Sequence, residues 1–426
     1  MNLQSLYDLY KQHPSVQTDT RKLKAGDIFF ALKGENFNGN KFAAQAIEAG
    51  AVLAVIDEAE YAIEGKTFLV DDVLTTLQDL ARHHRQQFRI PFIAITGSNG
   101  KTTTKELVHA VLSCKYRTAT TEGNLNNHIG IPLTLLKIKP DAELAVIEMG
   151  ANHQREIAGY CTYAMPDYGI ITNCGKAHLE GFGGVEGVRK GKGELYDWLR
   201  ANHGTAFVMW DYDYLRTMSQ GIEKIIRYGT ADASLEGQTV KSEPFLEVAI
   251  TKGATTGTIH SQLVGDYNLP NILLAVVIGK HFQVPDEDIR KAIEEYQPSN
   301  SRSQLLKAGS NQIILDAYNA NPSSMKLAIE NFARLAAPNK VLMLGAMAEL
   351  GDESLQEHQQ IIDLIAQQPW KQVVLVGGDF LKIKHPWVSL NNSSEARQWY
   401  VDQHFEDTHL LIKGSRSMKM EKIIEA

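Results

Sequence analysis

Cysteine is scarce in this chain of 426 residues: Cys114, Cys161 and Cys174 are odd in number and lack C-x-x-C spacing, which speaks against a disulfide framework and a zinc site. Positive charge is not in excess. Forty-three Lys and Arg against 50 Asp and Glu leave a net charge of -7, with no basic field for nucleic acid and no like-charged tail. Long apolar runs are missing too, since no stretch approaches the roughly 20 residues needed to span a bilayer. The opening Met1-Asn-Leu-Gln-Ser-Leu-Tyr-Asp-Leu-Tyr10 has no basic region followed by an apolar one, so a cytoplasmic location is expected by default. Low-complexity segments and internal repeats are not evident.

What remains is an ordinary globular composition, 43% hydrophobic, long enough for two or three α/β domains. A small α/β module is expected over 1–85, with a strand at 26–32, a helix at 42–49, a strand at 51–56 and a helix at 74–87. Residues 86–298 carry strands at 90–95, 144–148, 168–172 and 205–210 separated by helical stretches, the alternation of a mainly parallel sheet. The polar, Thr- and Gly-rich segment 225–263 reads as antiparallel and would close that sheet's edge. Gln297-Pro-Ser-Asn-Ser-Arg302 reads as a linker. Beyond it, over 299–426, strands at 312–316, 340–344, 373–376 and 409–412 form a Rossmann-like, doubly wound unit.

The most informative stretch is Phe92-Ile-Ala-Ile-Thr-Gly-Ser-Asn-Gly-Lys-Thr-Thr-Thr-Lys-Glu106, a buried strand emptying through a Gly-rich turn into a helix. Gly97 and Gly100 permit backbone conformations in which amide groups converge on phosphate oxygens at the positive end of a helix. Lys101 supplies a point charge for terminal phosphates, and Thr102 a hydroxyl for Mg²⁺. The usual loop is G-x-x-x-x-G-K-[ST]; here Ile95 stands where its first glycine would fall, which selects families with the compact T-G-[ST]-x-G-K-[ST]. A solvated lysine on an ordinary turn is the rival reading, and the agreement of strand, turn and helix argues against it.

Other polar clusters fall at strand ends, where open α/β sheets bind ligands. Glu148 closes the strand 144–148 and could hold a metal, and His178 follows the strand 168–172. Either alone is more often structural or solvated. Arg189-Lys-Gly-Lys-Gly-Glu194 reads as an exposed basic face. Thr120–Pro132 is dense in amides and suits a ligand rich in hydroxyls and carbonyls, with a plain turn as the rival. Leu315-Asp-Ala-Tyr-Asn-Ala-Asn-Pro322 concentrates a carboxylate, a phenol and two amides, more than a turn needs. Leu411-Ile-Lys-Gly-Ser-Arg-Ser417 offers a cationic, hydroxylated loop for an anionic substrate.

Taken together, Asp19-Thr-Arg21, Gly26–Gly34, Thr96–Thr102, Gly123–Pro132, Ala177–Phe182, Tyr318–Pro322, Leu344–Gly351 and Lys413–Arg416 resemble the Mur ligases of peptidoglycan synthesis over almost the whole chain. The resemblance implies three domains and an ATP-dependent amide ligase. In the branch selected by Tyr318-Asn-Ala-Asn-Pro322 together with Leu344–Gly351 and Lys413–Arg416, the resemblance implies that a UDP-muramoyl tripeptide is activated as an acyl phosphate and then joined to D-Ala-D-Ala. ATP and Mg²⁺ are the implied cofactors, and a monomer is expected.

The resemblance also carries residue roles. Gly97, Ser98, Asn99, Gly100, Lys101, Thr102 and Thr103 would hold the phosphates. Asn268 and Asn271 would face the adenine, and Arg302 and Asp316 would reach the nucleotide. Lys101, Glu148, His178 and Lys192 are the implied catalytic set, with Thr102, Glu148, His178 and Lys192 around the metal and Lys192 a site of possible carbamylation. Thr20, Arg21, Asn124, Asn126, Asn127, Asn319, Asn321 and Lys413 would contact the organic substrates. The chain departs from the family pattern at Asn38, Asn40, Tyr267, Leu315 and Ala346. A sister ligase that adds a single amino acid, or a non-catalytic ATP-binding partner, remains an alternative.

Overall fold

The structure, a computed structural model, describes residues 2–299 and 301–425; Met1, Ala426 and Asn300 of the expected linker lie outside the described residues. Among the described residues, no helix is long and apolar enough to cross a membrane. Each of the three expected regions builds its own main sheet.

The first sheet is fully parallel, in the order Val16–Gln17, Ile28–Phe30, Leu53–Ile56 and Thr67–Leu69. Helix Val73–Arg85 leaves it for the second unit. Asp72 caps that helix by accepting from the Thr75 amide at 2.6 Å, while Arg82, His83, His84 and Arg85 complement the negative end of its dipole. Arg85 then crosses the joint between the units. Its guanidinium donates to the carbonyls of Ala164 at 2.9 Å and Met165 at 2.8 Å, and lies over the Phe92 ring. The Tyr10 hydroxyl donates to the Leu136 carbonyl, a second fastening on the same joint.

The middle sheet has nine strands. From one edge they run Thr118–Thr120, Leu144–Glu148, Phe92–Thr96, Tyr168–Ile171, Thr205–Met209, Lys224–Gly229, Leu235–Lys241, Glu247–Lys252 and Thr258–His260. Part of the segment expected to be antiparallel is not: Lys224–Gly229 pairs parallel with Thr205–Met209, and Leu235–Lys241 begins parallel to Lys224–Gly229. Only the pairings made by the last two strands are antiparallel. Their polarity reflects an edge position rather than a change of sheet type. Strands Phe92–Thr96 and Leu144–Glu148 are buried throughout, which explains their unbroken apolar runs.

The third sheet runs Gln304–Ala308, Asn311–Asp316, His409–Lys413, Lys340–Gly345, Gln372–Val376 and Val388–Leu390, with only the first strand antiparallel. Gln304–Ala308 and Val388–Leu390 are short edge strands that the sequence pattern did not signal.

Most departures from the family pattern carry local structure. Asn40, fully buried, donates to the Asp57 carboxylate at 2.8 Å and accepts from the Asp57 amide at 3.0 Å, while Asn38 donates to Glu58 at 2.9 Å. Leu315 packs in the third unit's core, and Ala346 joins its sheet edge through the Val376 carbonyl at 2.9 Å. Tyr267 reaches across to the Ser303 hydroxyl at 3.0 Å.

Candidate active site

A cavity of about 890 Å³ opens where the C-terminal ends of the middle strands face the third unit. The phosphate loop forms its floor. Gly97, at φ 144°, passes so close to the neighbouring strand that a Cβ there would stand 2.0 Å from the Thr172 hydroxyl. Gly100, at φ 80°, starts helix Lys101–Ser113 with no side-chain cap, which leaves the first-turn amides free for a ligand.

Segment 172–175 braces the loop from the adjoining strand. The Ser98 amide donates to the Asn173 carbonyl at 2.9 Å, the Asn99 amide to the Asn173 side chain at 3.1 Å, and the Ser98 hydroxyl to the Gly175 carbonyl at 2.9 Å. Lys101 bends back, its ammonium donating to the carbonyls of Gly97 at 2.7 Å and Ser98 at 3.3 Å. Burial lowers its pKa; the Glu148 carboxylate opposes that effect and the Arg302 guanidinium adds to it.

Glu148 is brought beside Thr102 because its strand pairs directly with the loop strand, Ile95 opposite Glu148. One carboxylate oxygen accepts from the Thr102 hydroxyl at 3.2 Å and from the Asn126 amide at 2.7 Å. The other is buried with no partner. A buried acceptor so close to a hydroxyl and to a phosphate loop suits a hard cation with oxygen ligands. Among the described residues there is no group of three or more His, Cys, Asp or Glu side chains that could hold a metal by themselves. Phosphate oxygens and waters would have to complete the coordination, the usual arrangement for Mg²⁺.

His178 lines the cavity with its Nδ1 2.6 Å from the Glu349 carboxylate of the third unit. The imidazole holds that carboxyl below its usual pKa, against the effect of burial. Lys192 does not line the cavity: it stands behind the wall, almost fully buried, donating to the Ala151 carbonyl at 2.9 Å. Burial, and then the nearby Lys101 charge, lower its pKa to about 7.

Helix Leu269–His281 packs against the loop helix, and its inner residues Asn271 to Gly279 are all buried. Asn271 accepts from the Thr104 hydroxyl at 3.0 Å and donates to Asn268 at 2.8 Å, so both amides meet the cavity as a fixed pair.

The third unit supplies the roof. Arg302, Asp316, Asn319, Asn321 and Lys413 all line the cavity, although more than 200 residues separate them from Lys101. Lys413 is buried against Asp316 at 2.5 Å, and Asp316 also accepts from the Ser303 amide at 3.2 Å. Asn321 caps helix Pro322–Arg334 through the Ser324 amide at 2.9 Å, and its amide group donates to Asn99 of the phosphate loop at 2.7 Å. Its side chain is therefore committed to the loop.

Other expected contacts fall outside the cavity. Thr20 and Arg21 lie on the first unit, in a 3-10 turn where Asp19 accepts from the Arg21 side chain and amide. Asn124 is also outside; its carbonyl accepts from the Asn126 amide at 2.8 Å and shapes the turn that presents Asn126. Asn127 lines the wall, though its side chain accepts from the Ile129 and Gly130 amides.

Sequence reasoning missed Asp211, Tyr212 and Tyr214, which line one end of the cavity, the two rings stacked with centroids 5.6 Å apart. They follow the strand Thr205–Met209, so the strand-end rule that found Glu148 and His178 would have found them. Glu349 lies within the motif Leu344–Gly351, but its pairing with His178 was not anticipated, being defined by a partner in another unit.

Known proteins agree with this architecture. The Mur ligase family, catalytic domain, matches 14–85; the Mur ligase middle domain matches 95–279; and the Mur ligase, glutamate ligase domain, matches 301–416. The UDP-N-acetylmuramoyl-tripeptide--D-alanyl-D-alanine ligase of Bacillus subtilis is 35% identical, covering 96% of this chain and 92% of the relative. A crystal structure of MurF from Acinetobacter baumannii superposes with TM-score 0.87 at 31% identity, covering 96% of this chain and 92% of that one. MurF ligase from Thermotoga maritima in complex with ADP has TM-score 0.87 at 24% identity, covering 98% and 97%, and supports the fold. Three family models matched in succession, each on one of the three units, together with a relative 35% identical over nearly the whole chain, show that this chain belongs to the Mur ligase family.

Proposed function

We propose that this chain is the ATP-dependent ligase that joins D-alanyl-D-alanine to UDP-N-acetylmuramoyl-tripeptide in peptidoglycan precursor synthesis, working in the cytoplasm. The observation that carries this reading is the cavity itself, in which the phosphate loop and the Asp316–Asn321 segment face each other across one space. Full-length similarity to ligases named for this reaction supports the choice of substrates.

A carboxylate is a poor electrophile, so ATP first converts the tripeptide's terminal carboxylate to an acyl phosphate. The amine of D-Ala-D-Ala then attacks its carbonyl carbon, and the tetrahedral intermediate collapses with loss of phosphate. The chain's contribution is positioning and charge. Free amides at the start of helix Lys101–Ser113 bind phosphate oxygens, and Lys101 exchanges its two loop carbonyls for the terminal phosphates. Arg302 and Lys101 together offset the negative charge that gathers on the transferring group. Asn268 and Asn271 orient the base.

Thr102 and Glu148, with His178 nearby, would hold Mg²⁺, which would supply positive charge to screen the phosphate oxygens. With a pKa near 7, Lys192 is partly neutral at physiological pH, the form in which an amine adds CO2. Its carbamate would turn a buried cation into an anion beside the Ala151 wall. We place UDP recognition on the first unit, around Thr20 and Arg21, and the acyl acceptor beneath Asn319.

Phosphate release with purified UDP-muramoyl tripeptide, with and without D-Ala-D-Ala, tests the reading directly. Release that requires all three substrates supports it. Release with a free amino acid and a shorter acceptor, but none with D-Ala-D-Ala, would transfer the chain to a sister activity, and no release with any acceptor would leave only an ATP-binding partner.

A further inference from the structure

Tyr318 lies within the segment that meets the phosphate loop, yet neither the nucleotide nor the metal reading uses it. Its ring lies under the Arg302 guanidinium, with the Arg302 Cζ 3.5 Å from the ring centroid, a stacking distance. Arg416 approaches the same ring, at 5.6 Å. The Tyr318 amide donates to the Ser301 carbonyl at 3.2 Å, which fixes the ring's backbone beside the linker that carries Arg302. Both Tyr318 and Arg302 line the cavity. Arg302 has a buried Nε with no partner, and its charge is felt at Lys101.

A long, five-donor side chain at the end of a linker has many rotamers, and no carboxylate pairs with the Arg302 guanidinium among the described residues. The aromatic face is what holds the plane. We propose that Tyr318 is a positioning residue for Arg302: its ring keeps the guanidinium flat and aimed at the transferring phosphate, so the Tyr-Asn-Ala-Asn-Pro motif serves the nucleotide as well as the acceptor. The inference rests on Arg302 acting on the phosphates, as proposed above. The ring face, and not the hydroxyl, does this, because the hydroxyl lies at the edge of the stack.

The experiment compares Tyr318→Phe, Tyr318→Leu, Arg302→Ala and the Arg302→Ala/Tyr318→Leu double variant in the full-length enzyme, with thermal unfolding to check folding. KM for ATP, KM for D-Ala-D-Ala and kcat are measured for each. Tyr318→Phe should stay within about twofold of wild type, whereas Tyr318→Leu should lose about tenfold in kcat/KM for ATP with KM for the dipeptide unchanged. The loss should vanish in the Arg302→Ala background. Wild-type behaviour of Tyr318→Leu, a loss that persists without Arg302, or a rise confined to the dipeptide KM would each overturn the proposal. Full activity of Arg302→Ala would instead overturn the phosphate role of Arg302, so the two failures read differently.

Discussion

Lys101 lines the cavity and Lys192 stands behind its wall, and their environments separate their tasks. The Lys101 ammonium donates to carbonyls of its own loop, so replacing it removes a charge at the cavity floor. Lys101→Ala should therefore lower kcat by about 10²–10³-fold while leaving the melting temperature near wild type. Near-normal turnover in a phosphate-release assay would refute the loop assignment. Lys192 is different, because its pKa is depressed to about 7 by burial. Between pH 7 and the ordinary lysine range the unfolded chain binds a proton that the folded chain does not, so the Lys192 contribution makes stability rise with pH across that window. Below pH 7 both states are charged and the burial penalty is felt in full. Wild type and Lys192→Met compared by thermal unfolding at pH 6.5 and 9 should show a larger rise in wild type; parallel shifts would remove the depressed pKa. If the amine is carbamylated, CO2-free buffer below pH 7 should reduce turnover and bicarbonate at pH 8 should restore it. Turnover indifferent to both would exclude the modification.

Among the elements, helix Pro322–Arg334 has the most to lose from a single change. Asn321 holds a reciprocal capping box with Ser324 and at the same time grips Asn99. Asn321→Ala should cost about 1 kcal/mol through the cap, visible in chemical unfolding, and should also raise KM for ATP because the loop loses its brace. A stability loss with unchanged nucleotide kinetics would show that the Asn99 contact is incidental. This helix also illustrates what the sequence could and could not reveal. The polar cluster before it was legible but its start at Asn321 was not anticipated, whereas the loop strand, its glycines and the carboxylate at 148 were legible because each depends on neighbours a few residues away. The bond from Asn321 to Asn99 spans 222 positions, and no periodicity encodes it. Glu349 opposite His178 belongs to the same class. The edge strands Thr118–Thr120 and Val388–Leu390 escaped for another reason: three residues are too few to show alternation.

Across the whole molecule, the third unit is already seated on the middle one. Lys176 reaches the buried Glu357 at 2.5 Å, its amide meets the Ser323 hydroxyl at 2.9 Å, and His178 meets Glu349. All three contacts spring from one segment, 176–178, which continues directly from the residues that brace the phosphate loop. Because Lys176 is partly exposed, its pair with Glu357 should contribute only about 1 kcal/mol, or roughly fivefold in the closed population. Lys176→Met should shift the ligand-free enzyme toward a larger radius of gyration in small-angle scattering, with nucleotide and UDP-substrate restoring compactness. Curves identical to wild type in both states would count against this seat.

The Arg85 joint gives the other half of the molecule a different character. With its guanidinium bonded to Ala164 and Met165, and Tyr10 bonded to Leu136, the first unit is fastened to the unit that carries the phosphate loop rather than to the third. A donor anchored by its nucleotide on the first unit, as proposed, can present its carboxyl terminus to Lys101 only if the peptide between them spans a set gap. Under that proposal the joint would work as a ruler, choosing the acyl donor by length before any pocket inspects its side chains.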